Sequence, residues 1–431
     1  MKIIGGTPLK GRISAQGAKN AALPVMAAAI LLKGKQLRIE RVPNLLDVVT
    51  MADLLRSLGA DVEFSGHEMR ISTPEDISWE TPPDLVRKMR ASSLVLGPLL
   101  ARCGKAVMPL PGGCSIGSRP IDLHLKGLTR MGAAIELVHG AVHATVNGLK
   151  GCRIYLDFPS VGATENLMMA AVFAKGETIL ENTAREPEIF NLVEALRSMG
   201  ASIEADGTGV IRIQGVDDLQ SASSKIIPDR VEASTYILAG AATNGEVTVS
   251  DIIPNHIDSL LAKLEEAGAS LTVGEHEVTI HPSGRLKGVS LKTLPYPGFP
   301  TDLQPQIMVA LCLAEGISIV QESVFQSRFL HASELNKMGA RIDIQSNSAV
   351  ISGVESLAGA DVLATDLRAG AALVLAGLAA KDITYVHNLG HVFRGYEEIE
   401  GKLRAIGANI SILPSEEDAK GNVPSHRTVS I

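Results

Sequence analysis

A glycine-rich stretch places a thiol close to a permanent cation. Residues 111–120 read Pro-Gly-Gly-Cys-Ser-Ile-Gly-Ser-Arg-Pro and include Cys114 and Arg119. Glycine adopts backbone conformations that are closed to other residues, so such a loop can approach a ligand closely. A loop of this composition could close over an anion and deliver a reactive group. It could equally be a turn with an incidental cysteine, and the loop alone does not decide between the two interpretations.

Polar and charged side chains also mark the starts of six apolar segments that we predict to be buried helices. They are Lys19-Asn20, Arg90, Thr164, Asp229-Arg230, Thr301-Asp302 and Thr365-Asp366-Leu-Arg368. Capping by Ser, Thr, Asp or Asn is common at helix N-termini and accounts for Thr164 and Asp229. A cation there opposes the helix dipole, which leaves Lys19, Arg90 and Arg368 unexplained. We therefore predict that anions bind near these three cations.

These features recur because the chain repeats one unit. A Leu-x-x-x-Gly-Ala phrase occurs six times, 68 to 73 residues apart, with its glycines at Gly59, Gly132, Gly200, Gly268, Gly339 and Gly407. In the third copy, Leu192, Leu196 and Met199 form one apolar helical face, and the glycine after them is placed to end the helix. More apolar helices precede the phrases, for example at residues 166–174, 233–242, 306–314 and 369–380. Each unit is predicted as buried helix, strand, amphipathic helix, strand and usually another strand.

Six units of about 70 residues suit two domains of three units each. We place the break in the serine-rich residues 221–228. The first domain is then 19–227, and the second is 228–431 together with 1–18. The chain would pass between the domains twice, which suits a hinge. If the apolar helices of each domain point their N-termini the same way, the two positive ends enclose a site for a multiply anionic substrate between the domains.

Several weaker candidates lie between these elements. His124, just after the glycine loop, is either a ligand contact or a helix-surface residue. Arg328 and Arg394 follow the first strand of their respective units, which argues for one shared site. Glu186 and Glu188 flank a proline and form either part of a site or only a polar turn.

Composition excludes several classes of function. Aromatic residues are 3% of the chain and the net charge is −7, which disfavours stacking platforms and basic surfaces for nucleic acid. The four cysteines form no Cys-x-x-Cys pair, the first residues lack a signal-peptide pattern, and the apolar residues 21–32 are too short to cross a bilayer. We expect a reduced, cytoplasmic protein without nucleic-acid or membrane partners, a cofactor or a metal, and with a loosely held polar end at 414–431. Oligomeric state is not indicated.

Taken together, the motifs resemble those of the enolpyruvyl transferases over nearly the whole chain. The most specific matches are the glycine loop with Cys114 and the Ser-Val-Gly-Ala-Thr at residues 160–164. Further matches are Pro-Thr-Asp302, Phe-Gln-Ser-Arg328, Thr-Asp366-Leu-Arg368 and Arg394-Gly-Tyr. The resemblance implies an α/β (α+β) fold of two inside-out α/β barrel domains, each of three βαβαββ repeats. The cysteine-bearing loop favours the branch that uses UDP-N-acetylglucosamine over the shikimate-phosphate branch.

The resemblance also implies a reaction. The enolpyruvyl group of phosphoenolpyruvate passes to the 3-hydroxyl of UDP-N-acetylglucosamine by addition and elimination, with release of phosphate, in the first committed step of peptidoglycan synthesis. It assigns proton transfer and a covalent adduct to Cys114, which Arg119 would acidify, and the base on the sugar hydroxyl to Asp302. Lys19 and Arg394 are the implied catalytic cations. Alkylation of the thiol by the epoxide antibiotic fosfomycin is implied as well.

The implied binding residues fall into two sets. Those for phosphoenolpyruvate are Lys19, Asn20, Arg119, Arg328, Asp366, Arg368 and Arg394. Those for the UDP-sugar are Asn20, Arg90, Arg119, Pro120, Ile121, Asp122, Leu123, His124, Ser160, Val161, Gly162, Asp302 and Val324. One position departs from the pattern, because Phe158 stands where some relatives carry a lysine near the nucleotide phosphates. We therefore expect backbone N–H groups to hold those phosphates.

Two alternatives remain open from the sequence. One is an enzyme of the same superfamily with another acceptor, such as shikimate phosphate, against which the Cys114 loop argues. The other is a regulatory paralogue that binds UDP-sugars without turnover. The intact set of Lys19, Cys114, Asp302 and Arg394 argues against the second alternative.

Overall fold

The structure, a computed structural model, describes residues 1–110, 121–325 and 328–413. The chain forms two compact units. The Lys19 unit consists of the described part of residues 17–227, and the Asp302 unit consists of residues 1–16 with the described part of 228–413. The sequence predicted the first boundary between the units after residue 18, two residues later than in the structure. The division of chemical roles between two domains stays a prediction.

The described residues form α-helices whose bounds the repeat predicts to within a few residues. The four apolar helices predicted from residues 166, 233, 306 and 369 begin two to five residues earlier. The helices are α1 (Lys19–Ala28), α2 (Leu46–Ser57), α3 (Pro83–Lys88), α4 (Leu96–Cys103), α5 (Asp122–Arg130), α6 (Val161–Ala171), α7 (Pro187–Ser198), α8 (Arg230–Ala242), α9 (Asp258–Glu266), α10 (Gln304–Cys312), α11 (Leu330–Lys337), α12 (Leu367–Ala379) and α13 (Ile399–Ala405). Short 3-10 segments are Ala29–Leu31, Arg90–Val95, Pro254–Ile257, Thr301–Leu303 and Leu389–Arg394.

Strands fill most of the remaining described chain. They are β1 (Lys2–Ile4), β2 (Lys10–Ser14), β3 (Lys35–Glu40), β4 (Asp61–Ser65), β5 (Glu68–Thr73), β6 (Lys105–Pro109), β7 (Ala134–Val138), β8 (Ala141–Thr145), β9 (Arg153–Tyr155), β10 (Glu177–Glu181), β11 (Ser202–Ala205), β12 (Val210–Gln214), β13 (Ala222–Lys225), β14 (Glu246–Ser250), β15 (Ser270–Val273), β16 (Glu277–His281), β17 (Ser290–Lys292), β18 (Ile317–Gln321), β19 (Arg341–Gln345), β20 (Ser348–Ser352), β21 (Asp361–Leu363), β22 (Ile383–His387) and β23 (Asn409–Ser411).

The sheets share one topology, which confirms the repeat. Those of the Lys19 unit run β13-β3-β5-β4, β6-β8-β7 and β9-β10-β12-β11, and those of the Asp302 unit run β2-β14-β16-β15, β17-β18-β20-β19 and β21-β22-β1-β23. In the four-stranded sheets the first pair is parallel and the others are antiparallel. In the three-stranded sheet, Glu80 forms a parallel bridge to Val107 of β6 in place of a fourth strand.

Three strands complete sheets that lie far away in sequence. Strand β1 inserts between β22 and β23, and β2 pairs with β14, so the first residues belong to the Asp302 unit. Strand β13 pairs in parallel with β3. Residues 221–228 therefore contain a strand, and the boundary between the two units falls within the predicted range, after Ile227. The sequence of β13, Ala-Ser-Ser-Lys, carries little β signal, and the strand is fixed by its long-range backbone pairing.

The helix-ending glycines behave as their pattern predicts. All six adopt φ between 88° and 106°, the left-handed region in which glycine ends a helix without steric cost. In the third copy, Leu192, Leu196 and Met199 are fully buried. Local pattern therefore determines where each amphipathic helix stops and which face it buries.

Each unit has its apolar helices at the centre and its sheets outside. In the Asp302 unit, α8, α10 and α12 pack on one another, and in the Lys19 unit α4 packs on α6 and on the Ala29–Leu31 turn after α1. Leu373 and Val374 of α12 have no exposed surface. Outward strand positions stay open, as at Ile317 of β18. This inside-out α/β arrangement confirms the predicted fold class.

Candidate active site

In the Asp302 unit, one carboxylate joins two buried guanidinium groups. Asp302 lies in the Thr301–Leu303 turn directly before α10. Its Oδ1 lies 3.0 Å from Nη2 of Arg328, and its Oδ2 accepts a hydrogen bond from Nη2 of Arg368 at 3.0 Å. The arginines are 3% and 4% exposed, whereas the aspartate side chain is 27% exposed. The carboxylate is thus the accessible member of the cluster, and its charge compensates the two cations.

The environment of Arg368 keeps its guanidinium charged. Burial lowers the pKa of Arg368, but the nearby Asp302 and Tyr396 raise it, and the net shift is upward. Its Nη1 donates a hydrogen bond to the Tyr396 hydroxyl at 3.3 Å. The cation therefore sits permanently in the first turn of α12, where the sequence predicted one.

Arg328 has binding capacity that the described protein atoms do not use. Its Nε and Nη1 are buried and have no hydrogen-bond partner among the described residues. A buried donor without a partner costs free energy, about 1–3 kcal/mol and more for a charged group. The Phe325 ring lies 5.5 Å from this guanidinium, and the binding of an anion by Arg328 stays what the resemblance implies.

The N-terminal ends of α8, α10 and α12 lie together in this unit. The contact between Arg368 and Asp302 joins α12 to the turn before α10. The Tyr396 hydroxyl bonds to Thr235 of α8 at 2.9 Å and to Gln306 of α10 at 3.2 Å. Residues in the first turns of α10 and α12 and the sixth residue of α8 therefore meet in this unit, and the common direction of the three helices stays a prediction.

Two further predicted residues flank this meeting point. Asp366 caps α12, because its Oδ1 accepts the N–H groups of Arg368 and Ala369 at 2.9 and 3.1 Å. Arg394 ends the Leu389–Arg394 segment, two residues before Tyr396. The structure thus brings Asp302, Arg328 and Arg368 into direct contact and anchors the chain beside Arg394 to the same helix ends.

In the Lys19 unit, the first cation has an internal partner that the sequence did not reveal. The Nζ of Lys19, at the first position of α1, donates to Oδ2 of Asp47 in α2 at 3.0 Å. The two side chains are 10% and 8% exposed. Neighbouring Asn20 is exposed, and Arg90, at the start of a 3-10 segment, is half-buried. An internal carboxylate therefore already compensates the cation that opposes the helix dipole.

The residues predicted to contact the UDP-sugar come from two adjacent helix starts. Asp122, Leu123 and His124 form the first turn of α5 after Ile121. Ser160 caps α6, and a side chain built at Gly162 would meet the imidazole of His124 at 3.3 Å. The structure thus places the Ser-Val-Gly-Ala-Thr motif of residues 160–164 against His124.

A buried asparagine fixes the orientation of His124, and the sequence reasoning did not single it out. His124 is 7% exposed, so its interpretation as a helix-surface residue is wrong. Its Nδ1 lies 2.9 Å from Nδ2 of Asn166, which also donates to the carbonyl of Ser93 at 2.7 Å. Because the amide donates, Nδ1 accepts, and the neutral imidazole carries its proton on Nε2.

The buried histidine gives a testable pH dependence. Burial lowers the pKa of His124 from 6.5 to about 4, so the unfolded chain binds a proton between those pH values that the folded chain does not. Its stabilising contribution is present above pH 6.5 and falls by about 3 kcal/mol as the pH drops to 4. We expect the unfolding free energy of His124→Gln to decrease less than that of the wild type over this range, measured by urea denaturation. Equal decreases would contradict this assignment.

The comparison with the variant is needed because another buried group acts in the opposite direction. Burial raises the pKa of Glu165 well above its usual value, and Glu188 and Glu186 raise it further. The folded chain therefore binds the extra proton at this site, which favours the folded state as the pH falls. Only the difference between wild type and His124→Gln isolates the histidine.

Two predictions about the helix starts need correction. Thr164 does not begin α6, because Ser160 has the extended backbone of a cap and its Oγ accepts the N–H of Ala163. Thr164 instead donates its hydroxyl to the Ser160 carbonyl at 2.8 Å and accepts the N–H of Ala184 at 3.1 Å. Arg90 opens a 3-10 segment, not the α-helix itself, which begins at Leu96.

Three predicted site residues, Cys114, Arg119 and Pro120, lie outside the described residues, as do Gln326, Ser327 and the tail 414–431. Within the described ranges, no group of His, Cys, Asp and Glu is arranged to hold a metal ion. None of the helices described combines the length and the hydropathy that a membrane crossing needs. Val324 is described and lies in the loop after β18.

Comparison with known proteins agrees with this architecture. The structure matches the crystal structure of the enolpyruvyl transferase NikO from Streptomyces tendae with a TM-score of 0.86 at 27% identity, over 95% of this chain and 97% of that one. It matches an EPSP synthase from Acinetobacter baumannii with a TM-score of 0.73 at 20% identity, over 95% and 99% of the chains, which shows a shared fold.

Curated relatives are more similar in sequence. UDP-N-acetylglucosamine 1-carboxyvinyltransferase 2 of Carboxydothermus hydrogenoformans is 56% identical over 95% of this chain and 98% of the relative. The UDP-N-acetylglucosamine 1-carboxyvinyltransferase of Halothermothrix orenii is 52% identical over 95% and 98%.

The match to a solved enolpyruvyl transferase at 27% identity over 95% of this chain places the protein in the class of the enolpyruvyl transferases. The model of the EPSP synthase (3-phosphoshikimate 1-carboxyvinyltransferase) family matches residues 3–403, and the chain belongs to that family.

Proposed function

We propose that this protein transfers the enolpyruvyl group of phosphoenolpyruvate to the 3-hydroxyl of UDP-N-acetylglucosamine and releases phosphate, the first committed step of peptidoglycan synthesis. The observation that carries the choice of acceptor is the identity of 50–56% to curated relatives named for that activity, each matched over 94–97% of this chain. The match to an EPSP synthase at 20% identity supports only the fold.

The Asp302 cluster supports the chemistry of the addition step. The sugar hydroxyl must lose a proton as its oxygen attacks, while the vinyl carbon of phosphoenolpyruvate gains one. Asp302 is the accessible carboxylate of its cluster and takes the proton from the hydroxyl. Cys114 participates in proton transfer at the enolpyruvyl group, as the resemblance implies. The tetrahedral intermediate then loses phosphate from one carbon and a proton from the adjacent methyl group, which restores the carbon–carbon double bond.

Fixed cations hold the anionic substrate and stabilise the charge of the intermediate. Lys19, Arg119 and Arg394 contact the phosphate and carboxylate groups, and Arg328 and Arg368 complete the cationic set. Cations that are already in place do not have to reorganise as charge develops, which makes such stabilisation effective. The contacts of Arg328 and Arg368 with Asp302, each at 3.0 Å, hold these two cations in place and support this assignment.

The UDP-sugar binds at the starts of α5 and α6. His124, Ser160 and Gly162 contact it, and the N–H groups in the first turn of α6 hold the nucleotide phosphates in place of a basic residue at Phe158. That phenylalanine is 42% exposed, so its ring is available to lie beside the nucleotide. We place the protein in the cytoplasm, where free thiols persist, because the three described cysteines are unpaired.

The choice of acceptor is tested by phosphate release from phosphoenolpyruvate with each acceptor in turn. We expect release with UDP-N-acetylglucosamine and none above background with shikimate 3-phosphate. The reverse result would favour another activity of the superfamily, and no release with either acceptor would favour a binding protein without turnover.

Alkylation of Cys114 by fosfomycin is a separate expected result. The thiolate opens the epoxide, so the protein gains the mass of one inhibitor molecule and loses turnover. Intact mass spectrometry and peptide mapping check the site, with Cys103, Cys152 and Cys312 as internal controls because burial raises the pKa of each of these thiols. Full activity after prolonged exposure, with no mass added at Cys114, would contradict this prediction.

A further inference from the structure

A buried glutamate connects the turn that carries Asp302 to the loop that carries Val324. Glu322 directly follows β18 and is 2% exposed. Neither the repeat nor the resemblance singles it out. It is a carboxylate in the interior of the Asp302 unit, and a buried charge of this kind persists only where hydrogen bonds compensate for the loss of water.

The two oxygens of Glu322 serve different segments. Oε1 accepts the N–H groups of Val324 and Phe325 at 2.8 and 3.1 Å and the hydroxyl of Thr293 at 2.7 Å. Oε2 accepts the hydroxyl of Thr301 at 2.9 Å. One oxygen therefore fixes the loop after β18, and the other fixes the residue directly before Asp302.

Thr293 strengthens the same connection from the opposite side. Its Oγ1 accepts the N–H of Ser323 at 2.9 Å, and its backbone N–H donates to the carbonyl of Gln321 at 2.9 Å. Thr293 thus holds the last residue of β18 and the second residue of the loop that follows it. By contrast, the hydrogen bond from Thr301 is the link between the Glu322 side chain and the Asp302 turn among the described residues.

We propose that Glu322 is a positioning residue that sets Asp302 relative to the acceptor-binding loop at Val324. This inference rests on the proposed function, in which Asp302 takes the proton from the sugar hydroxyl and Val324 contacts the UDP-sugar. The hydroxyl must face the base at hydrogen-bond distance, and a displacement of about 1 Å can cost roughly 10²-fold in rate. A carboxylate that bonds both segments fixes that distance without touching the substrate.

The test is a double-mutant cycle with Thr301→Val and Glu322→Ala. Thr301→Val keeps the side-chain shape and removes the hydroxyl, so we expect kcat to fall by up to about 10²-fold with little change in KM for UDP-N-acetylglucosamine. Glu322→Ala also releases Val324, so we expect kcat to fall and KM to rise. In the Glu322→Ala background, adding Thr301→Val should change kcat by less than about twofold, because their shared interaction is already absent.

A conservative variant and a matched control separate positioning from general destabilisation. In Glu322→Gln, the amide oxygen can keep the donors on Oε1, and the amide NH2 can donate to the Thr301 hydroxyl, so we expect most of kcat to return. Glu334 is a buried carboxylate of the same unit that bonds Lys337 and the N–H of Leu363. We expect Glu334→Ala to lower the melting temperature while kcat stays at the wild-type level.

The outcomes are distinct. Any of three results would overturn the proposal. They are a wild-type kcat in Thr301→Val, a double variant whose loss of kcat is the product of the two single losses, and a loss of kcat in Glu334→Ala as large as that in Glu322→Ala. A wild-type protein inactive with UDP-N-acetylglucosamine would instead overturn the proposed function. Hydrogen exchange tests the role of Glu322 independently of enzyme activity, because Glu322→Ala should speed exchange at the amides of Val324 and Phe325. Unchanged exchange there would refute the positioning role.

Discussion

Replacing Asp302 by asparagine is expected to lower kcat by about 10²–10⁴-fold, the range typical for loss of a general base. Asparagine keeps the shape and one acceptor oxygen, so Arg328 and Arg368 can remain near their observed positions. An amide cannot accept a proton from the sugar hydroxyl. We therefore expect calorimetry to detect UDP-N-acetylglucosamine binding while phosphate release is nearly absent.

The same substitution should also lower stability, since two buried cations lose their shared anion. Removing one partner of a buried ion pair costs about 3–5 kcal/mol, and the remaining amide oxygen reduces that cost. Asp229→Asn is the matched control, because Asp229 caps α8 near the same cluster and asparagine is an equally good cap. Its turnover should stay close to that of the wild type. Turnover of Asp302→Asn within tenfold of the wild type would contradict a base at this position.

The parts of the fold that the sequence predicted depend on local interactions. Gly200 ends its helix through its own left-handed backbone conformation, which involves only neighbouring residues. Leu196 is buried because its helical face is apolar. The same pattern repeats six times, so the repeat and the positions of Asp302 and Arg368 beside helix starts could be predicted. Residues close in sequence to a strong pattern were therefore located to within a few positions.

The parts that it missed depend on contacts distant in sequence or on a choice between similar residues. Asp47 lies 28 residues from Lys19, and no local pattern connects them. Ser160 and Thr164 are both suitable caps, and the extended backbone of Ser160 decides between them. Strand β13 is determined by its pairing with β3. Glu322 follows an ordinary strand and acquires its role only through Thr293 and Thr301.

Two cations at helix starts are paired with carboxylates of the protein itself. The sequence predicted an external anion near Lys19 and Arg368, but each has an internal carboxylate, Asp47 or Asp302. These charges are therefore compensated before a substrate binds, which lets the chain fold without a ligand. The pairing also creates an ambiguity, because loss of either cation removes both a structural partner and a candidate binding group.

The Lys19–Asp47 pair allows these two roles to be separated. In Lys19→Met, the carboxylate of Asp47 is left without its cation, so we expect the unfolding free energy to fall by about 3–5 kcal/mol. Turnover should fall by about 10²–10³-fold, the range for removing one preorganised stabilising group. Adding Asp47→Asn removes the uncompensated charge and should restore much of the stability, measured by chemical denaturation. Turnover should not return, because the phosphate still lacks its cation.

The double variant therefore decides the role of Lys19. If the lysine serves only to compensate Asp47, then Lys19→Met with Asp47→Asn would recover turnover together with stability. The single variant Asp47→Asn provides the complementary control, since it keeps the cation but loosens its position. We expect it to raise KM for phosphoenolpyruvate more than it lowers kcat. The loosened lysine holds the phosphate less well in the initial complex, but it still supplies positive charge during turnover.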